Sequence, residues 1–370
     1  MIMKAETLRA HLALTMVQQL GDVHIAQLLK CFGTPEAIFK ANHRQLEAVP
    51  GIGEVRAKHI KGFREHAKVD REINHMLKWN IKVLVRGEEG YPNRLLHCLD
   101  APHLLYYKGI GNLVQEKIIS IVGTRSPTEY GRERVVELLS VLRTFPVLVV
   151  SGLAYGIDTL VHRECLKEGI QTLGVLGHGL DKIYPFANRQ LASDMQLHGG
   201  LMSEFRCGTK PDRQNFPRRN RIVSGMADAV VVVESGIKGG SLITADIANS
   251  YNRDVLAYPG RATDIQSKGC NELIRMNKAN LVTNGQELVE FLNWVPVRKK
   301  DPVQSSLFVA LDGDEKHIYE AIGKNGQSHI DELAASTGIK PSMVSAVLFE
   351  LEMKGLVVPL PGKLYTLAGR

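Results

Sequence analysis

The chain has 370 residues, too many for one hydrophobic core, so two or three domains are expected. With 44% hydrophobic and 23% charged residues it has the composition of an ordinary globular protein, and no run approaches the roughly 18 apolar residues of a membrane span. A net charge of +7 suits a polyanionic partner, while five scattered cysteines without a C-x-x-C pair exclude a disulfide framework and a zinc ribbon and point to a reducing, cytoplasmic setting.

The first 78 residues read as helical. Leu8, Leu12, Leu14, Val17 and Leu20 recur at helical spacing before Gly21, and no secretory apolar region is present. Further on, Pro50-Gly51-Ile52-Gly53 separates two apolar-periodic stretches as the turn of a helix-hairpin-helix, a SAM-like arrangement, with Leu28–Gly33 as a degenerate first hairpin. Such a turn offers backbone N–H groups to a nucleic-acid phosphate, and it serves equally as a structural αα-hairpin.

From 79 to 295 the pattern becomes strand, turn, helix. Short β-rich runs fall at Ile81–Val85, Leu104–Tyr107, Ile118–Val122, Val147–Val150, Thr172–Leu176, Leu201–Phe205, Ala229–Glu234, Val255–Tyr258 and Asn280–Val282. Helical patterns lie between them at Glu133–Arg143, Thr159–Glu168 and Ser241–Tyr251. The alternation predicts an α/β doubly wound, mainly parallel sheet, with ligands beyond the carboxyl ends of its strands. Those ends carry Gly123-Thr124-Arg125, Ser151-Gly152 and Gly177-His178-Gly179, small residues that admit a close ligand.

Within this region Phe205–Arg221 holds six Lys or Arg against one acid, Asp212. The stretch Asn215-Phe216-Pro217-Arg218-Arg219-Asn220-Arg221 therefore reads as a phosphate site at a loop-to-helix junction, the helix resuming at Ile222; the competing reading is a solvated charge run. Standard nucleotide fingerprints are missing: Lys182 stands where a third glycine would follow Gly177-His178-Gly179, and in Lys238-Gly239-Gly240-Ser241 the lysine precedes the glycines. Asp158 and His162, four apart on a helix, lack a third ligand and read as a cap and a hydrogen-bonded histidine. No cofactor, metal or catalytic constellation is expected.

After a linker at 296–304, residues 305–370 predict helices at Glu315–Lys324, Ile330–Thr337 and Ser342–Met353, then a small wing, Leu356–Leu360 and Lys363–Thr366, around Pro361-Gly362. That is a winged helix. It carries six basic and eight acidic residues, with Glu350 and Glu352 on the would-be recognition helix, which argues for a protein-contact or packing role over DNA reading.

Taken together, the ordered blocks Ser120–Arg125 with Tyr130-Gly131, Ser151–Asp158 with His162, Gly179-Leu180-Asp181, Tyr184-Pro185, Asn215–Arg221, Gly239–Ala245, Pro259-Gly260 and Gly269-Cys270-Asn271 resemble the DNA-processing protein A family, DprA or Smf. The resemblance spans about residues 80–295, and the winged helix is similar to that of longer members. It implies an extended Rossmann-like domain that binds single-stranded DNA, loads the RecA recombinase in natural transformation, meets single-strand-binding protein and forms homodimers. Carried over by position, the DNA-facing residues are Gly123, Thr124, Arg125, Ser151, Gly152, Gly156, Gly177, Gly179, Arg213, Arg218, Arg219, Asn220, Arg221, Lys238, Gly239, Gly240, Ser241 and Thr244. Phe186 and Gly236 stand where some relatives carry basic residues; Phe186 is placed to stack a base or to pack in its loop. Self-association is expected around Ile247, Tyr251, Leu273, Ile274 and Met276. Two other classes compete. Gly239–Asp246 distantly resembles the loop of lysine-decarboxylase-like phosphoribohydrolases, a nucleotide-processing alternative, and the winged helix allows a sequence-specific regulator.

Overall fold

Strands made of unbroken apolar residues must be covered on both faces. In the computed structural model, which describes residues 4–294, 311–360 and 363–367, that requirement is met by helices from two directions. The expected linker, 296–304, and the Pro361-Gly362 turn lie outside the described residues. The chain divides into two compact units, residues 1–297 and 298–370.

Six helices open the first unit: α1 (Ala5–Met16), α2 (Asp22–Phe32), α3 (Pro35–Lys40), α4 (His43–Glu47), α5 (Gly53–Lys61) and α6 (His66–Trp79). The alternating region follows as β1 (Lys82–Val85), α7 (Asn93–Leu96), β2 (Leu104–Gly109), β3 (Lys117–Gly123), α8 (Glu129–Leu142), β4 (Val147–Ser151), α9 (Ile157–Lys167) and β5 (Gln171–Leu176). It continues with α10 (Arg189–Met195), β6 (Gly199–Ser203), α11 (Asn215–Met226), β7 (Ala229–Val233), α12 (Gly240–Ser250), β8 (Asp254–Ala257), α13 (Lys268–Arg275), β9 (Asn280–Leu281) and α14 (Gly285–Phe291).

Among the described residues the strands order as β1-β2-β6-β5-β4-β3-β7-β8-β9. All neighbours from β6 to β9 run parallel, and β2 and β1 add an antiparallel edge. The path runs outward from β3 through β4, then returns to place β7 on its other side. A crevice opens at that reversal, where the strand ends diverge. Ile119, Ile121, Val149 and Val231 pack on one face of the sheet; Val122, Val150, Ile222 and Val230 pack on the other.

A third core joins the two sequence regions. Leu12, Ile25 and Met76 from the helices pack with Leu104, Tyr106 and Leu201 of the sheet. The boundary at 78/79 thus separates two secondary-structure regimes that share one core. Polar ties reinforce it: His11 Nδ1 and His103 Nε2 lie 3.0 Å apart, and Asp22 accepts the His103 N–H at 2.9 Å.

Two local expectations are corrected. Residues 28–33 form the end of α2, stopped by Gly33 at φ 77°, so the first hairpin turn lies earlier, at 17–21. Pro217 does not interrupt structure: α11 already begins at Asn215, and proline fits a first helical turn because its missing N–H would have no partner there.

The second unit comprises α15 (Gly313–Asn325), β10 (Gln327–His329), α16 (Ile330–Thr337), α17 (Pro341–Met353), β11 (Val357–Leu360) and β12 (Leu364–Leu367), with the strands in the order β10-β12-β11. This is a winged helix; β10 is the strand that the sequence did not announce. Asp312 and Glu315 form a capping box at the start of α15, and Glu315 also pairs with Lys354 beyond α17. Glu350 and Glu352 of α17 are exposed.

Candidate nucleic-acid interface

Successive helix residues point about 100° apart, so three arginines in one turn cannot share a direction. Along α11 they separate. Arg221 is 9% exposed and turns toward the helical segment, where its Nη2 donates to Glu204 at 2.6 Å and to Asp22 at 3.1 Å. Burial works against this cation, but Glu204 and Asp22 more than offset it and raise its pKa. Arg218 donates to the same Glu204 at 2.9 Å and lies 5.3 Å over the Phe205 ring. The expectation that Arg221 faces DNA is therefore corrected: it is an internal brace between the helices and the sheet. Arg218 is half committed to the same brace and stays exposed.

Arg219 points the other way, into the sheet ends. Its guanidinium occupies the space above Gly152, where a Cβ would lie 1.6 Å from Nη1. Any side chain at 152 would expel it. Gly156, at φ 81°, starts α9 against the turn after β3, where a Cβ would sit 2.3 Å from the Thr124 carbonyl oxygen. These two glycines bring the Thr124-Arg125 turn, the β4 end and Arg219 together.

The result is a cleft of about 680 Å³ at the reversal in strand order. It is lined by Gly123, Thr124, Arg125, Arg213, Arg219, Asn220, Lys238, Gly239, Gly240, Ser241 and Thr244. Arg125, Arg213 and Lys238 are exposed and make no ion pair among the described residues. Among the described residues the backbone N–H groups of Gly240 and Ser241, in the first turn of α12, meet no acceptor, as helix geometry requires of a first turn. A smaller pocket adjoins it, lined by Gly152, Tyr155, Gly177, His178, Tyr184, Phe216 and Arg219.

Several expected residues serve the framework. Ser151 is buried with its Oγ donating to the Ile121 carbonyl at 2.6 Å, and the Gly179 N–H donates to the Thr209 carbonyl. Ser241 Oγ bonds Ser235 Oγ at 2.8 Å. Phe186 is 73% exposed, so it does not pack in its loop; Arg189 lies 5.9 Å over its ring. Sequence reasoning missed Tyr155 and Tyr184, about half exposed at the pocket mouth, with Tyr184 6.4 Å from the Phe216 ring. Their place next to Gly156 and Pro185 in the motif blocks was the available signal.

Asp158 and His162 do not form a metal pair. Asp158 accepts the Ala154 N–H at 3.2 Å, and burial pushes its carboxyl up against the opposing pull of Arg219. His162 Nδ1 bonds Thr172 Oγ1 at 2.7 Å, and burial, helped by Arg219, lowers its pKa to about 3. Asp246, which falls where the phosphoribohydrolase loop carries Glu, is exposed outside the cleft and accepts from Lys278 at 2.9 Å.

In the hairpin, Pro50, Gly51 and Gly53 are exposed while Ile52 is buried. Arg56 ties the two turns, donating to the Gln19 and Gly51 carbonyls at 3.0 Å each. Of the residues expected in self-association, Leu273 is in the core and cannot meet a partner; Met276 is exposed, Ile247, Tyr251 and Ile274 are half-buried, and Tyr251 bonds Asp100.

Comparison with known proteins agrees with this geometry. A family model described as DNA recombination-mediator protein A matches residues 82–293, a DprA winged helix domain matches 305–363, and a SAM-like helix-hairpin-helix tandem matches 12–61. Protein Smf of Synechocystis is 32% identical, over 96% of this chain and 97% of its own length. The X-ray structure of DprA from Streptococcus pneumoniae is similar with a TM-score of 0.65 and 30% identity, covering 76% of this chain and 95% of that one. DprA from Helicobacter pylori, whose structure was reported for its single-stranded DNA binding mode, is similar with a TM-score of 0.53 and 28% identity, covering 58% and 96%.

Proposed function

The chain belongs to the DNA recombination-mediator protein A family, DprA or Smf, and from that membership we propose that it binds single-stranded DNA along the cleft at the strand ends. The observation that carries the proposal is the trio Arg125, Arg213 and Lys238, exposed around one cleft without acidic partners among the described residues. Cations held free of internal ion pairs are available to replace the counterions of a phosphate backbone. Tyr155 and Tyr184 at the adjoining pocket, and Phe186 exposed two residues beyond Tyr184, offer faces on which bases stack without regard to sequence. The would-be recognition helix α17 carries exposed Glu350 and Glu352, which disfavours base reading by the winged helix.

In this reading the protein acts by binding and has no catalytic step. It coats and protects incoming single strands in the cytoplasm and loads the RecA recombinase during natural transformation, with single-strand-binding protein as a further partner. No helix among the described residues is long and apolar enough to cross a membrane. We propose a homodimer through the half-buried and exposed residues Ile247, Tyr251, Ile274 and Met276, without Leu273. RecA filament growth on strands precoated with single-strand-binding protein tests the mediator role: addition of this protein should shorten the lag. An unchanged lag, with strand binding intact, would reject loading while leaving binding in place.

A further inference from the structure

Arg219 is 5% exposed on the cleft floor and makes no hydrogen bond or ion pair with any described residue; its Nε is buried without a partner. Asp158 lies near enough to feel its charge, yet Asp158 commits an oxygen to the Ala154 N–H. In the adjoining pocket the His178 Nε2 is likewise buried and unpartnered. A desolvated guanidinium that no described residue hydrogen-bonds is costly to keep, which points to an anion that completes the site.

The surroundings narrow the anion. Arg125, Arg213, Arg219 and Lys238 line the cleft against a single acid, Asp158, and the N-terminal turn of α12 faces the same space. A strand-internal phosphodiester carries one negative charge. A terminal phosphate carries about −1.5 to −2 at neutral pH and three free oxygens, which better matches a buried arginine beside a helix N-terminus. Tyr155, Tyr184 and Phe216 line the pocket next to it, where a base attached to that phosphate would lie.

We propose that Arg219 anchors a receptor for a phosphate monoester carried by a nucleotide: the terminal phosphate of a strand or a nucleoside 5′-monophosphate. The inference rests on the single-strand reading above and specifies which part of the ligand enters the floor of the cleft.

Fluorescence anisotropy with the full chain tests it, using one labelled sequence bearing a 5′-phosphate, a 3′-phosphate or hydroxyls at both ends. One end-phosphorylated strand should bind at least about tenfold tighter than the hydroxyl strand, and Arg219→Gln should erase that preference. Competition by deoxythymidine monophosphate but not thymidine would extend the site to free nucleotides; preference without such competition would assign it to strand ends. Equal binding of all three strands to the parent protein would overturn the receptor and leave the single-strand reading standing, and that comparison needs no variant. If no strand binds, both readings fall.

Discussion

Replacing Arg221 with alanine separates structural from DNA-binding arginines. The guanidinium donates to Glu204, whose side chain is 4% exposed, and to Asp22, whose side chain is 23% exposed. Removing one partner of a buried pair costs about 3–5 kcal/mol, because the other charge is left desolvated. Arg218 still reaches Glu204 at 2.9 Å and Asp22 is partly solvated, which places the loss near the lower end, about 3 kcal/mol. For a unit of this size each kcal/mol shifts the unfolding midpoint by roughly 2–4 °C, so R221A should unfold roughly 6–12 °C lower. Below its midpoint it should bind single strands within about twofold of the parent. Differential scanning calorimetry and anisotropy on the same preparation provide both readings. An unchanged midpoint together with lost DNA binding would refute the assignment of Arg221 as a brace.

R125A, R213A and K238A should do the reverse. Each removes a charged contact worth about 1.5–3 kcal/mol, weakening single-strand binding by roughly tenfold or more and lowering the salt slope by about 0.7, with no change in melting. Gly152→Ala should erase the preference for an end-phosphorylated strand as Arg219→Gln does, since its Cβ would occupy the place of the Arg219 guanidinium, as the same anisotropy comparison would show. Acid should weaken the fold through His103 and His162, both held near a pKa of about 3 chiefly by burial. Each is neutral when folded and protonates on unfolding below about 6.5, so stability falls as pH drops from 6.5 toward 3, by up to about 1.4 kcal/mol per pH unit per group. H103Q should flatten that slope in urea titrations at pH 7 and pH 5; comparison with the parent isolates it from Glu72 and Asp158, whose raised carboxyl pKa values act in the opposite direction. Removing residues 298–370, a separate compact unit, should leave single-strand affinity within about twofold by the same anisotropy assay.

The sheet was legible because its signal is local. Runs such as Ala229–Val233 are apolar at every position, and a strand buried on both faces has no other composition. β10 escaped because Gln327-Ser328-His329 is a polar segment without the apolar run of a strand, and it pairs with β12. The shared core of helices and sheet was also hidden, since Leu104 and Tyr106 read as strand residues whatever covers them. For the cleft, motif blocks located the turns, but charge counting overvalued the arginine run. Six cations in sequence do not reveal that Glu204, seventeen positions upstream of Arg221, and Asp22, in a different region, have already claimed one of them. Side-chain direction on α11 separated Arg219 from Arg221, and that direction is set by where the helix begins, which the misread Pro217 had displaced.

Whether the cleft takes single strands is tested most directly by anisotropy with one labelled oligonucleotide, single-stranded and as a blunt duplex, titrated with salt in the parent protein and in R125A. The single strand should bind at least about tenfold tighter than the duplex, with log affinity falling linearly in log salt at about 0.7 per phosphate contact. R125A should lose both affinity and about one contact of slope. Duplex binding as tight as the single strand, or an R125A protein indistinguishable from the parent, would contradict the account.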